Sequence, residues 1–188
     1  MSAKFVAHAL SYCLARGSIS LRGQKRRPWL EIVRSETESR YHQSQMRQLK
    51  KSCQSPLDVV WDVVATDGFY DKQRLRLQSD ELYRAYELLY PRDRKLITTQ
   101  VMEICGLLGM TALWSDAGSI VGQRGRLRPG LSLEEARPIY LWCNDHGFAC
   151  SPGLLFSRDS TKALIKAIRP QTHLTMRRKF VNERKKPI

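Results

Sequence analysis

The chain has 188 residues, 42% of them hydrophobic, enough for one core or for two fused halves. Its 32 lysines and arginines against 18 acids leave a formal charge of +14, an excess that attracts polyanions because phosphates release counterions on binding. No stretch approaches ~18 uninterrupted apolar residues, which argues against a membrane span, and the five scattered cysteines contain no Cys-x-x-Cys pair.

In chain order, residues 1–17 read as a helix with Phe5, Ala9, Tyr12 and Cys13 at helical spacing and His8 packed among them. Gly17 is expected as its αL cap. Residues 18–35 predict a hairpin with a basic tip at 23–28, carrying Arg22, Lys25, Arg26 and Arg27. Ser35 and Glu38 have the spacing of a capping box, opening a polar helix through Lys51. Residues 54–66 include the apolar run Leu57 to Val64, expected as a short packed helix or as a patch against a protein neighbour. Asp67-Gly68 predicts a turn into a strand ending Arg74-Leu75-Arg76-Leu77, followed by a helix from Asp80 to Tyr90-Pro91.

The second half repeats this order. A helix through Met110 to Ala117 stops at Gly118, again expected as an αL cap. The basic stretch Arg124 to Arg128 follows, then a capping box at Ser132 and Glu135 opening a helix to Asp145. Leu154-Leu155-Phe156 then reads as a strand, leading to a helix from Asp159 to Arg169-Pro170. Small residues, Ser11 and Ala15 in one apolar helix and Gly109 and Ala112 in the other, would let helices approach closely. The period is far too long for a solenoid, so the chain reads as a pseudo-dimer within one polypeptide, with 54–66 inserted in the first copy.

The arginines are the most telling local feature. Arg74 and Arg76 sit two apart, as do Arg124, Arg126 and Arg128, and side chains two apart on a strand share a face. Leu75, Leu77 and Leu127 then point into the core, and the arginine face suits contact with phosphates and base edges. Arg177, Arg178 and Lys179, with Arg184, Lys185 and Lys186, read as a disordered basic arm that orders on nucleic acid. Cys143, His146 and Cys150 fit no common zinc spacing, and reduced, mostly buried thiols point to an intracellular or organellar compartment.

The second half in particular resembles the LAGLIDADG homing endonucleases, in their single-chain form with two motif helices. The residues carrying the resemblance are Leu113-Trp114-Ser115-Asp116-Ala117-Gly118-Ser119-Ile120, Arg126-Leu127, Leu131-Ser132-Leu133-Glu134-Glu135, Ser160-Thr161, and Arg169-Pro170 with His173-Leu174-Thr175-Met176. Asp80-Glu81-Leu82-Tyr83 to Leu89-Tyr90-Pro91 resembles the family's pattern in the first half. The resemblance implies an α+β fold of two pseudo-twofold-related halves, 1–97 and 98–180, followed by a basic tail, 181–188. It also implies curved antiparallel sheets facing nucleic acid and two central packed helices.

In active members of that family, an acid just before each motif's terminal glycine holds the catalytic divalent metal. Here those positions are Arg16 and Ala117, and Asp116 lies about 100° round the helix. The expectation is a protein that does not cleave, with no metal or cofactor, and with Arg16 turned into a phosphate contact. It would bind structured RNA in preference to DNA, either ribosomal RNA of an organelle or an intron RNA, beside other ribonucleoprotein subunits. The alternatives are a DNA endonuclease using displaced acids such as Asp116 or Glu103, and a DNA-binding regulator. Residues 1–30 carry six cations before the first acid, Glu31. They look like a mitochondrial (or chloroplast) presequence while also supplying the first motif helix.

Overall fold

The computed structural model describes residues 2–65 and 71–181. The chain divides into two compact units, Met1–Arg94 and Lys95–Ile188. The turn expected at Asp67-Gly68 and the cations Arg184, Lys185 and Lys186 lie outside the described residues.

The first unit begins with α1 (Ala3–Cys13), whose N-cap Ser2 accepts the Phe5 N–H at 3.3 Å. It ends four residues before Gly17, and the intervening turn leaves Arg16 exposed. β1 (Gly17–Arg22) and β2 (Arg27–Ser35) form the expected hairpin, with Gly23 at φ 73° in its turn. Ser35 caps a 3-10 turn at Glu36–Glu38, and α2 (Ser39–Ser52) follows. The reciprocal capping box is absent, because Glu38 faces Arg34 at 3.4 Å instead.

The apolar run after α2 is β3 (Asp58–Val64), not a helix. It pairs antiparallel with β4 (Lys72–Gln78), and the sheet order is β1-β2-β4-β3. Four valines in seven residues favour the pleated backbone, where branched side chains keep their rotamers. α3 (Leu82–Leu89) closes the unit. α1, α2 and α3 cover one face of the sheet, burying Ile19, Leu30, Ile32, Leu75 and Leu77.

Arg34 is fully buried on that core face. Its Nε donates to Gln45 Oε1 at 2.8 Å, and its guanidinium lies 4.5 Å from the Tyr41 ring centroid. A cation this deep must be neutralised and hydrogen-bonded, so Arg34 is a structural arginine. Glu81, 3% exposed, accepts backbone N–H bonds from Ser2 (2.6 Å), Gln54 (2.7 Å) and Ser55 (2.9 Å). Burial alone would raise its pKa, but these donors hold it at about 2. One carboxylate thus ties the start of α1 to the entry of β3.

The second unit opens with α4 (Thr99–Ala117), capped by Thr98 and broken at Gly106, where φ is 50° and ψ −139°. β5 (Gly118–Val121) and β6 (Arg124–Leu127) form its only continuous ladder among the described residues. The strand expected at 154–156 contracts to single bridges, Arg126 with Leu155 and Cys150 with Phe156, because Leu154 turns to φ 55°. α5 (Leu133–Asp145) opens with the expected capping box: Glu135 N–H donates to Ser132 Oγ at 3.3 Å and Ser132 N–H to Glu135 Oε2 at 3.0 Å. α6 (Arg158–Ile168) is capped by Ser157.

Neither motif glycine is an αL cap. Gly118 is extended, at φ −82° and ψ 145°, and Gly17 begins a strand. Both are needed for space. A Cβ at Gly118 would lie 2.6 Å from Trp114 Cδ2, and one at Gly17 would lie 2.8 Å from the Tyr12 carbonyl oxygen. The strand turns back so tightly on its helix that only hydrogen fits.

Candidate nucleic-acid interface

In an antiparallel ladder, directly opposed residues show their side chains on the same face. The face of the first sheet away from the helices therefore carries Ser18, Ser20, Arg22, Trp29, Glu31, Arg74, Arg76, Gln78, Lys72 and Asp62. Arg74 and Arg76 lie where their spacing places them, with Leu75 and Leu77 fully buried behind.

They are not bare cations. Arg74 Nε donates to Asp62 Oδ1 at 2.9 Å and its Nη2 to Oδ2 at 2.6 Å, while Arg76 Nη2 reaches Oδ2 at 2.9 Å. The hydrogen bonds from Arg74, reinforced by the charges of Arg74 and Arg76, hold the Asp62 carboxyl below its ordinary range. Arg22 is likewise paired, 3.1 Å from Glu31. Reading β3 as a helix hid the Asp62 partner, since only strand pairing sets Asp62 opposite Arg74.

The cations of the hairpin tip and of the α1–β1 turn are open to solvent. Lys25, Arg26 and Arg27 are exposed around the hairpin tip, and the Arg26 carbonyl accepts from the Tyr83 hydroxyl at 3.2 Å, pinning the tip to α3. Arg16 is exposed in the turn between α1 and β1.

In the second unit, Arg124 and Arg126 share the outer face with Val121 and Ser119, while Leu127 is buried behind. Arg128 is exposed just past β6, its N–H donating to the Ala117 carbonyl at 3.0 Å, so it extends the row without belonging to the strand. Among the described residues none of these three arginines has an ion-pair partner.

Arg177, Arg178 and Lys179 do not form an arm. They lie in a 3-10 helix, Leu174–Phe180, packed beside β5. Buried Met176 anchors it, Trp114 Nε1 donates to the Lys179 carbonyl at 3.4 Å, and Arg177 Nη2 donates to the Arg169 carbonyl at 3.4 Å. The basic composition pointed to disorder, but one buried methionine and the Trp114 bond hold the segment down.

Sequence reasoning passed over Trp29, Lys72 and Gln78, which alternation along β2 and β4 puts on the arginine face. Trp29 gives that face an aromatic surface, half-exposed between Ser20 and Gln78.

Comparison with solved structures locates this arrangement among known folds. The homing endonuclease I-WcaI bound to its DNA recognition sequence matches over 97% of this chain and 89% of its own, with a TM-score of 0.74 at 12% identity. I-DmoI in complex with DNA and Mn matches over 92% and 99%, with a TM-score of 0.55 at 19% identity.

The chain has the LAGLIDADG homing-endonuclease fold.

No protein-family model matches the sequence, and no curated protein matches it. The LAGLIDADG fold is therefore carried by backbone topology and core pattern, with little sequence identity to either solved relative. The residues before Gly17 and Gly118 are a solvent-exposed guanidinium, Arg16, and a methyl group, Ala117. No helix among the described residues is long and apolar enough to cross a membrane.

Proposed function

We propose that this LAGLIDADG-fold protein binds double-helical nucleic acid on the outer faces of its sheets and does not cut it. The observation carrying the reading is the face of β5 and β6, where Arg124 and Arg126 project without acidic partners among the described residues, with Leu127 buried behind. Unpaired guanidiniums on a rigid pleat suit both phosphate contact and bidentate reading of guanine edges. Duplex DNA is the first ligand to test, because the solved relatives I-WcaI and I-DmoI are bound to DNA.

Arg16 and Ala117 support the absence of cleavage. A divalent metal needs oxygen ligands, and neither side chain offers one. The guanidinium of Arg16 would also oppose a cation at that place, by several kcal/mol at ~4 Å and an effective dielectric of ~20. The residues present do not fit a metal at the motif ends. An RNA-scaffold role, in an organellar ribosome or intron particle, is the second reading. It is favoured by the same loss of acids, since a ligand meant to persist is better held than cut.

The test pairs equilibrium binding to duplex DNA, duplex RNA and structured RNA with a cleavage assay in Mg²⁺ and Mn²⁺. The reading expects salt-dependent binding and no cleavage. Metal-dependent strand scission by the native chain refutes it, and preference for structured RNA over duplex DNA selects the scaffold role.

A further inference from the structure

The second unit contains a cavity of about 550 Å³ between α6, β5 and the 3-10 helix. Its floor is apolar, built from Ile120, Ile165 and Phe180, and its rim carries Arg158, Lys162, Lys166 and Arg169. The first three cations are spaced four residues apart, so they line one side of α6 at intervals of about 6 Å.

The repeat within the chain shows what this place looks like when it is filled. Aligning Tyr90-Pro91 with Arg169-Pro170 sets Tyr83 against Lys162, Tyr86 against Ile165 and Tyr90 against Arg169. In the first unit Tyr86 and Tyr90 stack with centroids 5.0 Å apart, and the Tyr90 hydroxyl accepts the N–H of Ile19 on the free edge of β1 at 3.1 Å. In the second unit the tyrosines are gone. Arginine cannot accept a hydrogen bond, so Arg169 leaves the corresponding N–H without that partner.

The ladder confirms where this N–H points. Phe156 N–H donates to the Gly125 carbonyl at 2.9 Å and Leu127 N–H to the Leu154 carbonyl at 3.1 Å. Gly125 and Leu127 therefore turn their backbone groups away from β5, and Ile120, opposite Gly125, directs its N–H off the open edge.

We infer that this groove docks an extended, acidic segment of a partner protein, which adds along the free edge of β5. Its backbone carbonyl would accept from Ile120, an apolar side chain would fill the floor, and alternate carboxylates would meet the cations of α6. Alternate side chains of an extended peptide repeat at about 6.8 Å, close to the spacing of those cations. A nucleic-acid strand satisfies the rim, but it offers planar bases instead of the flexible, branched side chains that suit a floor built from Ile120 and Ile165.

The experiment is fluorescence polarisation with a labelled short peptide alternating glutamate with leucine and phenylalanine. The controls are its lysine counterpart and a single-stranded oligonucleotide of equal negative charge. The variant Ile165→Tyr/Arg169→Tyr rebuilds the first unit's tyrosine plug. The expected result is saturable binding of the acidic peptide to the native chain, weakened about tenfold or more by the plug, with duplex binding unchanged. Lys162→Glu/Lys166→Glu, at exposed positions, is expected to show the same loss and keeps the test valid if the plugged chain folds poorly. Absence of saturable peptide binding, equal affinity in the charge-reversed chain, or an oligonucleotide that competes with the peptide and is lost with it would each overturn the inference.

Discussion

Replacing Asp62 with Asn should strengthen non-specific binding to nucleic acid. In the native face one carboxylate takes two hydrogen bonds from Arg74 and one from Arg76, so two guanidiniums are occupied by a built-in anion. A phosphate must displace that anion before either arginine can contribute. Asparagine keeps the shape but removes the charge, leaving both cations to the ligand. Each phosphate newly contacted steepens the plot of log K against log salt by about 0.9 for duplex DNA, so two add about 1.8. The assay is titration of a labelled random-sequence duplex at several salt concentrations, for the native and Asp62→Asn chains. The thermal midpoint should barely move, because the group is solvent-accessible and exposed ion pairs contribute little. An unchanged slope, or weaker binding with an unchanged fold, would refute the view that Asp62 masks the arginines.

Arg126→Ala should lower the salt slope by about 0.9 if its contact is to phosphate, and relax selectivity at one base pair if it reads a base edge; no change in either measurement moves the ligand to another surface. Glu81→Gln should cost about 3 kcal/mol, the equivalent of holding a carboxyl at about 2 instead of 4.5. Because the folded value is depressed, that stability is complete above pH 4.5 and disappears as pH falls towards 2, so urea titrations of the variant should show a flatter pH dependence across that window. His42, fully buried beside Arg34 and lowered to about 4 by burial and by that cation, adds a contribution present above pH 6.5 and lost as pH falls to 4. His42→Phe should reduce the pH slope of stability in that range. Gly118→Ala should destabilise by about 1–3 kcal/mol in thermal melts, since its methyl group collides with buried Trp114.

The alternation of arginine with leucine along β4 and β6 was legible because strand side chains alternate strictly, whatever the strand packs against. The capping box of α5 and the boundaries of α3 and α6 were legible for a similar reason, since caps and amphipathic spacing act over a few neighbouring residues. The residues standing at Arg16 and Ala117 are likewise a matter of sequence alone.

Everything that depended on a distant partner needed the tertiary structure. Leu57 to Val64 is an apolar run whose period distinguishes neither helix nor strand, and pairing with β4 decides it. With that pairing Asp62 comes opposite Arg74, so the net charge of the arginine face was decided by a residue outside the arginine pattern. Gly17 and Gly118 announce a stop in either case, but the cause is the close return of a strand past Tyr12 and Trp114, not a left-handed backbone. Arg177, Arg178 and Lys179 carry a composition that favours solvent, yet Met176 finds a buried site and Trp114 a carbonyl to bond, and local charge does not outweigh those contacts.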